Sequence, residues 1–288
     1  MRCSVNVPNF GDFQDPRVIA DLARTAEQAG WDALWVWDHV VHERARAREL
    51  ADPWVLLTAA ALATERIRLG AMITPVARRR PIKLAKELTT LDRLTGGRMV
   101  CGVGLGAPIA DEFGRFGEPT DPRLLAAVLD EGLDALALLW SGEAVSYQGE
   151  HITLDDVLCL PTPVQRPRIP VWVAGRWPNK APMRRAARWD GVIPLFTGTE
   201  GGHVPPASEV RQLVEYITAR RAEAGALDQP FDVVVGGTSP ASPAAVGQVA
   251  KLGDAGATWW DEQMPFDDRV DQLEPILRRV EYGPPRPA

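Results

Sequence analysis

Short apolar runs alternate along this chain with longer stretches in which apolar residues recur at helical spacing. The runs Arg2–Val7, Asp32–Trp37, Ile67–Ile73, Arg98–Val103, Pro170–Ala174, Gly191–Leu195, Phe231–Gly236 and Thr258–Glu262 read as strands. The segments between them read as helices. Asp15-Pro16, Asp52-Pro53 and Asp121-Pro122 each place a proline in a first turn behind a capping acid, and Gly30, Gly96 and Gly256 stand where helices should stop. Eight strands alternating with helices predict a closed (β/α)8 barrel in preference to an open doubly wound sheet. Residues 1–281 form one domain on this reading, and the proline-rich tail 282–288 should fray.

Two stretches exceed a minimal barrel. Gly104–Thr120, rich in Gly and Pro, follows the fourth strand, and Val145–Leu154 around Gln148-Gly149 alternates like a small hairpin before the fifth. The helix Trp54–Ala63 (WVLLTAAALA) is apolar around its whole circumference, so something other than the barrel should cover part of it. A homodimer contact is the expected cover, with burial under an inserted loop as the alternative.

Composition narrows the partners. A net charge of −6 and a pI near 5.4 argue against a nucleic-acid surface, although Arg78-Arg79-Arg80 could serve an anionic small molecule. Cys3, Cys101 and Cys159 are odd in number and widely spaced, which suggests neither a disulfide framework nor a metal site. With no leader-like N-terminus and no run long enough to span a bilayer, a cytoplasmic protein without membrane contact is expected.

In a barrel of this kind chemistry gathers at the C-terminal ends of the strands. Those ends carry Asn6, Pro8 and Asn9; Asp38 and His39; Thr74 and Arg78; Gly104–Ala107 with Asp111 and Glu112; Gly175 and Arg176; Pro194 and Phe196; Gly236; and Glu262. His39 is the candidate acid or base, with Asp38 to orient or recharge it. His42, His151 and His203 read as surface residues, and no HxH or HExxH spacing points to a metal. Gly102-Val103-Gly104-Leu105-Gly106-Ala107 matches a dinucleotide fingerprint formally, but it sits at the fourth strand and Pro108 follows. Its small residues are better read as letting backbone approach a flat ring, or as steric room at a strand end. Ala174-Gly175-Arg176, followed by Lys180, Arg184 and Arg185, suits a phosphate, with a solvated basic helix as the alternative. Trp35, Trp37, Trp172 and Trp177 read as core.

Together these motifs resemble the luciferase-like flavin- and deazaflavin-dependent oxidoreductases. The resemblance is carried by Val5–Phe10, Ala26–Asp32 leading into Trp37-Asp38-His39, Arg66–Gly70, Thr90–Arg98 and Gly102–Gly106, with Tyr147–His151 and Pro161–Pro170. It implies a barrel holding F420 or FMN at its mouth, in a dimer packed through the second and third helices. It implies that Met72, Ile73, Thr74, Gly104, Leu105, Gly106, Ala107, Gly175 and Arg176 surround the cofactor, that the Met72-Ile73 peptide is cis, and that His39 is the active-site histidine; the strand-end Asn6 and Ala174 and the basic Arg79 join them as expected cofactor contacts. Substrate contacts would come from Gly104–Thr120 and Thr197–Pro206. Where sugar-phosphate members place a proton-donating acid after the fourth strand, this chain has Ala107-Pro108, with Asp111 and Glu112 further on, which argues against that activity. The expected reaction is hydride transfer between F420 or FMN and a small organic substrate. An FMN-dependent two-component monooxygenase using O2 and a non-catalytic cofactor-binding barrel are the alternatives. A cofactor-independent isomerase or aldolase would want a strand-end lysine, and the expected strand ends offer none.

Overall fold

Asp15, Asp52 and Asp121 each stand at a helix N-cap. Their carboxylates accept from the amides of Arg17, of Trp54 and Val55, and of Arg123, with proline in the first turn. Gly96 ends a long helix in the left-handed region at φ 66°, where a side chain would be strained. The computed structural model describes residues 1–198, 202–263 and 269–286. In chain order its elements are β1 (Arg2–Val7), α1 (Pro16–Gln28), β2 (Ala33–Val36), α2 (Pro53–Ala63), β3 (Arg68–Ala71), β4 (Thr74–Pro75), α3 (Pro81–Thr95), β5 (Cys101–Gly104), α4 (Ile109–Glu112), α5 (Pro122–Leu139), β6 (Ala144–Gln148), β7 (Thr153–Leu158), β8 (Val171–Trp177), α6 (Lys180–Ala186), β9 (Gly191–Phe196), α7 (Ala207–Glu223), β10 (Asp232–Gly237), α8 (Ala244–Asp254), β11 (Trp259–Gln263) and α9 (Leu273–Glu281).

The barrel is a parallel sheet in the order β3-β2-β1-β11-β10-β9-β8-β5-β4. The expected third strand is broken in two. β3 pairs with β2, the chain turns at Met72-Ile73, whose peptide bond is cis, and β4 then pairs with β5. One strand position is thus handed from one neighbour to the other. The ring closes below that turn through a bridge between Leu69 and Met99, in which Val100 donates its amide to the Leu69 carbonyl at 2.9 Å. Glycine makes this seam possible. A Cβ at Gly70 would overlap the Val100 carbonyl oxygen, and one at Gly102 the Ala71 carbonyl oxygen.

Alternation along the strands gives two cores. Outward residues such as Leu34, Val36, Leu69 and Val103 pack under the helices, while Trp35, Met72, Val100, Trp172, Ile193, Val234 and Trp259 fill the barrel. The rings of Trp35, Trp172 and Trp259 meet pairwise with centroids 5.3–5.9 Å apart, so three indoles supply most of the plug. Trp177 is also buried, outside the barrel.

α2 is largely covered within the chain by α1, α3 and β3, because its small residues let α1 pack closely; Val55 and Leu62 alone among its large side chains stay exposed. Val55 and Leu62 are the large side chains that α2 leaves open to a second copy. The tail is held as far as it is described. Arg279 donates to the Gly283 carbonyl, and Arg286 pairs with Asp32 and reaches the Gly30 carbonyl, so ion pairing overrides the proline content; residues 287–288 lie outside the described residues. The hairpin is β6 with β7, and its turn is tied to α5 by Glu131, which accepts from the amides of Glu150, His151 and Ile152.

Gly70→Ala is expected to lower stability by about 1–3 kcal/mol, because the added methyl must displace backbone across the seam. A urea midpoint equal to that of the native chain would remove the close approach as a requirement.

Candidate active site

The end of β2 runs directly into the chemistry. Trp37 donates its amide to the Val7 carbonyl, Asp38 is buried, and His39 is placed by the fully buried Asn9. Asn9 gives Nδ2 to the carbonyls of His39 and Ala51, at 2.8 and 2.7 Å, and takes the His39 amide on Oδ1 at 3.3 Å. The residues that follow β4 arrive from the other side. Arg78 donates to Asp38 Oδ1 and to the Asp38 carbonyl at 2.8 and 3.0 Å, and Arg79 forks onto the same carboxylate at 2.8 and 2.7 Å. Burial pushes the Asp38 carboxyl up, and the two guanidiniums beside it pull it back.

Asp38 therefore does not orient His39, contrary to the sequence expectation; both arginines consume it. The orienting acid is Glu112, fully buried on the four-residue helix α4 of the insertion after β5. Its Oε1 stands 3.1 Å from His39 Nδ1 and accepts from the Val41 amide at 3.2 Å, while its Oε2 accepts from the Val40 amide at 3.1 Å and pairs with Arg78. Although burial raises it, the bonds from His39 and Val40 and the Arg78 charge together hold the Glu112 carboxyl below its usual range. An ionised carboxylate only accepts, so the neutral imidazole carries its proton on Nδ1 and keeps the Nε2 lone pair for another partner. If Nε2 takes a proton, the carboxylate stabilises the imidazolium. Asp38, Arg78, Glu112 and His39 thus form one chain of charge, joined through Arg78.

His42 is the second correction. It is half-buried, with its ring centroid 4.4 Å from that of His39 and 5.0 Å from that of Phe10, and it stacks with Trp37 at 6.1 Å. Desolvation first, and the neighbouring His39 second, lower it to about 4. His151 and His203 are exposed, as expected. The alternation of β11 turns Asp261 into the barrel and Glu262 outward, where it pairs with Arg279 and accepts from Ser239 and Trp260; Glu262 is not at the mouth.

The remaining predicted residues divide. Met72, Ile73 and Ala174 pack on the barrel plug as an apolar floor. Asn6 Oδ1, on the inward face of β1, and Thr74 Oγ1, on β4 in register with Val103, are buried without a hydrogen-bond partner among the described residues. The room left by Gly104 is taken by Ile73 Cδ1, 2.8 Å from where a Cβ would sit, and that left by Gly106 by Pro75. Both glycines are required by packing between strand ends. Leu105 packs on the outer core, and Ala107 is exposed before the cis bond to Pro108. Gly175 and Arg176 are not a turn: β8 continues to Trp177, and the two pair with Pro194 and Leu195 of β9. Arg185 is held by Asp130 on α5. Arg78 and Arg79 are neutralised as described, so the three-arginine run leaves only Arg80 exposed. Of the loop Thr197–Pro206, residues 199–201 lie outside the described residues. Among the described residues no cluster of His, Cys, Asp or Glu could hold a metal ion, and no helix is long and apolar enough to cross a membrane.

A floor of apolar side chains with unsatisfied polar atoms at its edge suits a flat heterocycle with polar groups on its rim. Comparison with known proteins agrees. The model of the luciferase-like monooxygenase family matches residues 2–254. An F420-dependent glucose-6-phosphate dehydrogenase of Kineococcus radiotolerans is 32% identical over 224 residues, covering 76% of this chain and 63% of that protein. The chain spans about half to under two thirds of the length of the curated relatives it matches. Among solved structures, the coenzyme F420 dependent tetrahydromethanopterin reductase of Methanopyrus kandleri has a TM-score of 0.76 at 18% identity, covering 98% of this chain and 96% of that one. The oxygenating constituent of 3,6-diketocamphane monooxygenase of Pseudomonas putida, in complex with FMN, has a TM-score of 0.74 at 17% identity over 98% and 96% of the two chains.

The depressed His42 gives a signed expectation. The unfolded imidazole takes a proton near pH 6.5 and the folded one only near 4, so stability present above 6.5 is lost as pH falls toward 4. The melting temperature of the native chain should therefore fall relative to that of His42→Phe, which keeps a ring against Phe10, across that interval. An unchanged slope in the variant would place the loss elsewhere.

Proposed function

We propose that this chain, which belongs to the luciferase-like monooxygenase family, binds the deazaflavin F420 on the Met72-Ile73-Ala174 floor and passes a hydride between it and a small alcohol or carbonyl compound. The observation that carries this reading is the His39 Nδ1 to Glu112 pair, which leaves an imidazole lone pair at the strand ends. Oxidising an alcohol removes a hydride from carbon and a proton from oxygen. When bound, F420 supplies the hydride-accepting ring. The proton falls to His39 Nε2, Glu112 holds the resulting imidazolium, and Arg78 keeps Glu112 ionised. In the reverse direction the same imidazolium donates to the developing alkoxide.

The preference for F420 over FMN is supported by relatives in sequence such as an F420-dependent hydroxymycolic acid dehydrogenase and an F420-dependent glucose-6-phosphate dehydrogenase. It no longer draws on Arg79, whose charge is spent on Asp38. The arginines nearest His39 are balanced by Asp38 and Glu112, so this part of the mouth offers no net positive charge to a phosphate. An uncharged substrate follows.

Absorbance titration should show F420 bound at least tenfold more tightly than FMN. His39→Gln should bind F420 as the native chain does while losing about 10²- to 10⁴-fold in turnover with alcohols or their ketones. Glu112→Gln should bind equally and lose about tenfold or more. Preference for FMN with consumption of O2 would install the monooxygenase alternative, and binding of neither cofactor would remove the proposal.

A further inference from the structure

Proton handling at His39 leaves one buried ionisable group inside the barrel unused. Asp261 lies on the inward face of β11 between Trp259 and Gln263, almost wholly buried. Ser4 Oγ donates to its Oδ1 at 2.8 Å, and Asn6 Nδ2 and Gln263 Nε2 donate to its Oδ2 at 2.9 and 3.2 Å. Ser4 and Asn6 are alternate residues of β1, the strand that pairs with β11 in the register Asn6 to Gln263. A carboxylate with three donors is fully used within the chain.

Its consequence lies one residue away. Because Asn6 commits its NH2 to Asp261, its carboxamide oxygen must face away from that acid. Asn6 is only 6% exposed, and its Oδ1 has no hydrogen-bond partner among the described residues. A desolvated acceptor without a donor costs about 1–3 kcal/mol, which a ligand donor would offset. Turning the carboxamide over would set Oδ1 against the Asp261 carboxylate, two acceptors facing each other, so the ionised acid permits one orientation only.

We infer that Asn6 Oδ1 is the hydrogen-bond acceptor for an N–H or O–H donor of the bound ligand, and that Asp261 is a positioning residue that keeps the carboxamide from reversing. The inference rests on the proposed function, since the imide N–H of a flavin or deazaflavin ring is a donor of this class. A ligand offering only acceptors at that point is excluded by the same geometry.

The clamp depends on the charge of Asp261. Burial pushes its carboxyl up to about 6, against its three donors, and Glu262 on the same strand adds to the rise from the outer face, where Arg279 of α9 and Ser239 hold it. From the neighbouring strands Ser4, Asn6 and Gly236 face it, and none is charged. Once protonated, Asp261 can itself donate to a reversed Asn6, and the enforcement is gone.

The test is to measure affinity for F420 and for FMN from pH 5 to 8 in the native chain, Asn6→Leu and Asp261→Asn, with thermal melts to confirm folding. Asn6→Leu should weaken the bound cofactor at least tenfold at pH 7.5. Asp261→Asn should weaken it about fivefold at pH 7.5 and match the native chain below pH 5.5. The ratio of native to variant affinity is the readout, because the ligand's own ionisation cancels in it. Native-like affinity in Asn6→Leu, or a ratio that stays constant with pH for Asp261→Asn, overturns the inference. The Asn6 side-chain NH2 resonances of the ligand-free chain give a reading independent of either cofactor. They should shift with a midpoint near pH 6 in the native chain and not in Asp261→Asn, and their failure to do so overturns the clamp. Loss of all cofactor binding by the native chain would instead remove the proposed function.

Discussion

Two buried carboxylates, Asp38 and Glu112, share the Arg78 guanidinium at the open end of the barrel, and the arrangement of the site follows from satisfying them. A buried ion without a partner costs several kcal/mol, so neither acid can be kept unless the arginines come to it. Arg79 completes the neutralisation and lays its guanidinium over the Trp54 ring at 5.4 Å, which ties the charge network to the start of α2. With its own charge met, Glu112 turns Oε1 to His39 and to the Val41 amide, while Oε2, beside Arg78, takes the Val40 amide. The histidine is thus oriented by an acid that could not be there alone.

The barrel seam serves the same end. β3 leaves β2 at Met72, and β4 continues along β5, so the chain emerges between those strands with Val76–Arg79 crossing above Asp38. A strand that stayed with β2 would carry Arg78 and Arg79 up a different line. The closeness of the two sides at Gly70 and Gly102 lets the ring shut beneath the break. Three tryptophans fill the space below, so the mouth rests on a rigid floor. Backbone steric demands at two glycines are in this way connected to the orientation of a histidine.

Much of this was legible in the chain because it is local. Parallel strands buried on both faces announce themselves as apolar runs, the Asp-Pro starts became the observed caps, and His39 stood out where an apolar run ended. What was hidden depends on pairing across distance. Glu112 meets His39 across 73 positions from a short insertion helix, and no spacing near either residue encodes that contact. Asp38 looked like the partner of its neighbour, whereas adjacent residues at a strand end diverge and its charge went to β4's extension. The same alternation separates Asp261 from Glu262: either could have been the inward acid until the register with Ser4 and Asn6 was known. His42 was misread because its burial comes from Phe10 and Trp37, which arrive from two other segments. Gly175 and Arg176 looked like a turn because glycine and a basic run follow an apolar strand, yet β9 is long enough to carry the ladder on to Trp177.

His42 and Asp261 bear on acid response in opposite ways. His42 is held neutral, so the unfolded chain binds the proton more readily and acid weakens the fold between about pH 6.5 and 4. Asp261, pushed up to about 6, binds its proton more readily in the folded state, so acid strengthens the fold as pH falls from about 6 to the ordinary aspartate value near 3.9. Over nearly the same interval the two slopes oppose each other. Global stability can then stay nearly level across pH 4 to 6 while the hydrogen-bonding pattern at Asn6 changes beneath it. A functional response to acid in that range is therefore not evidence of unfolding.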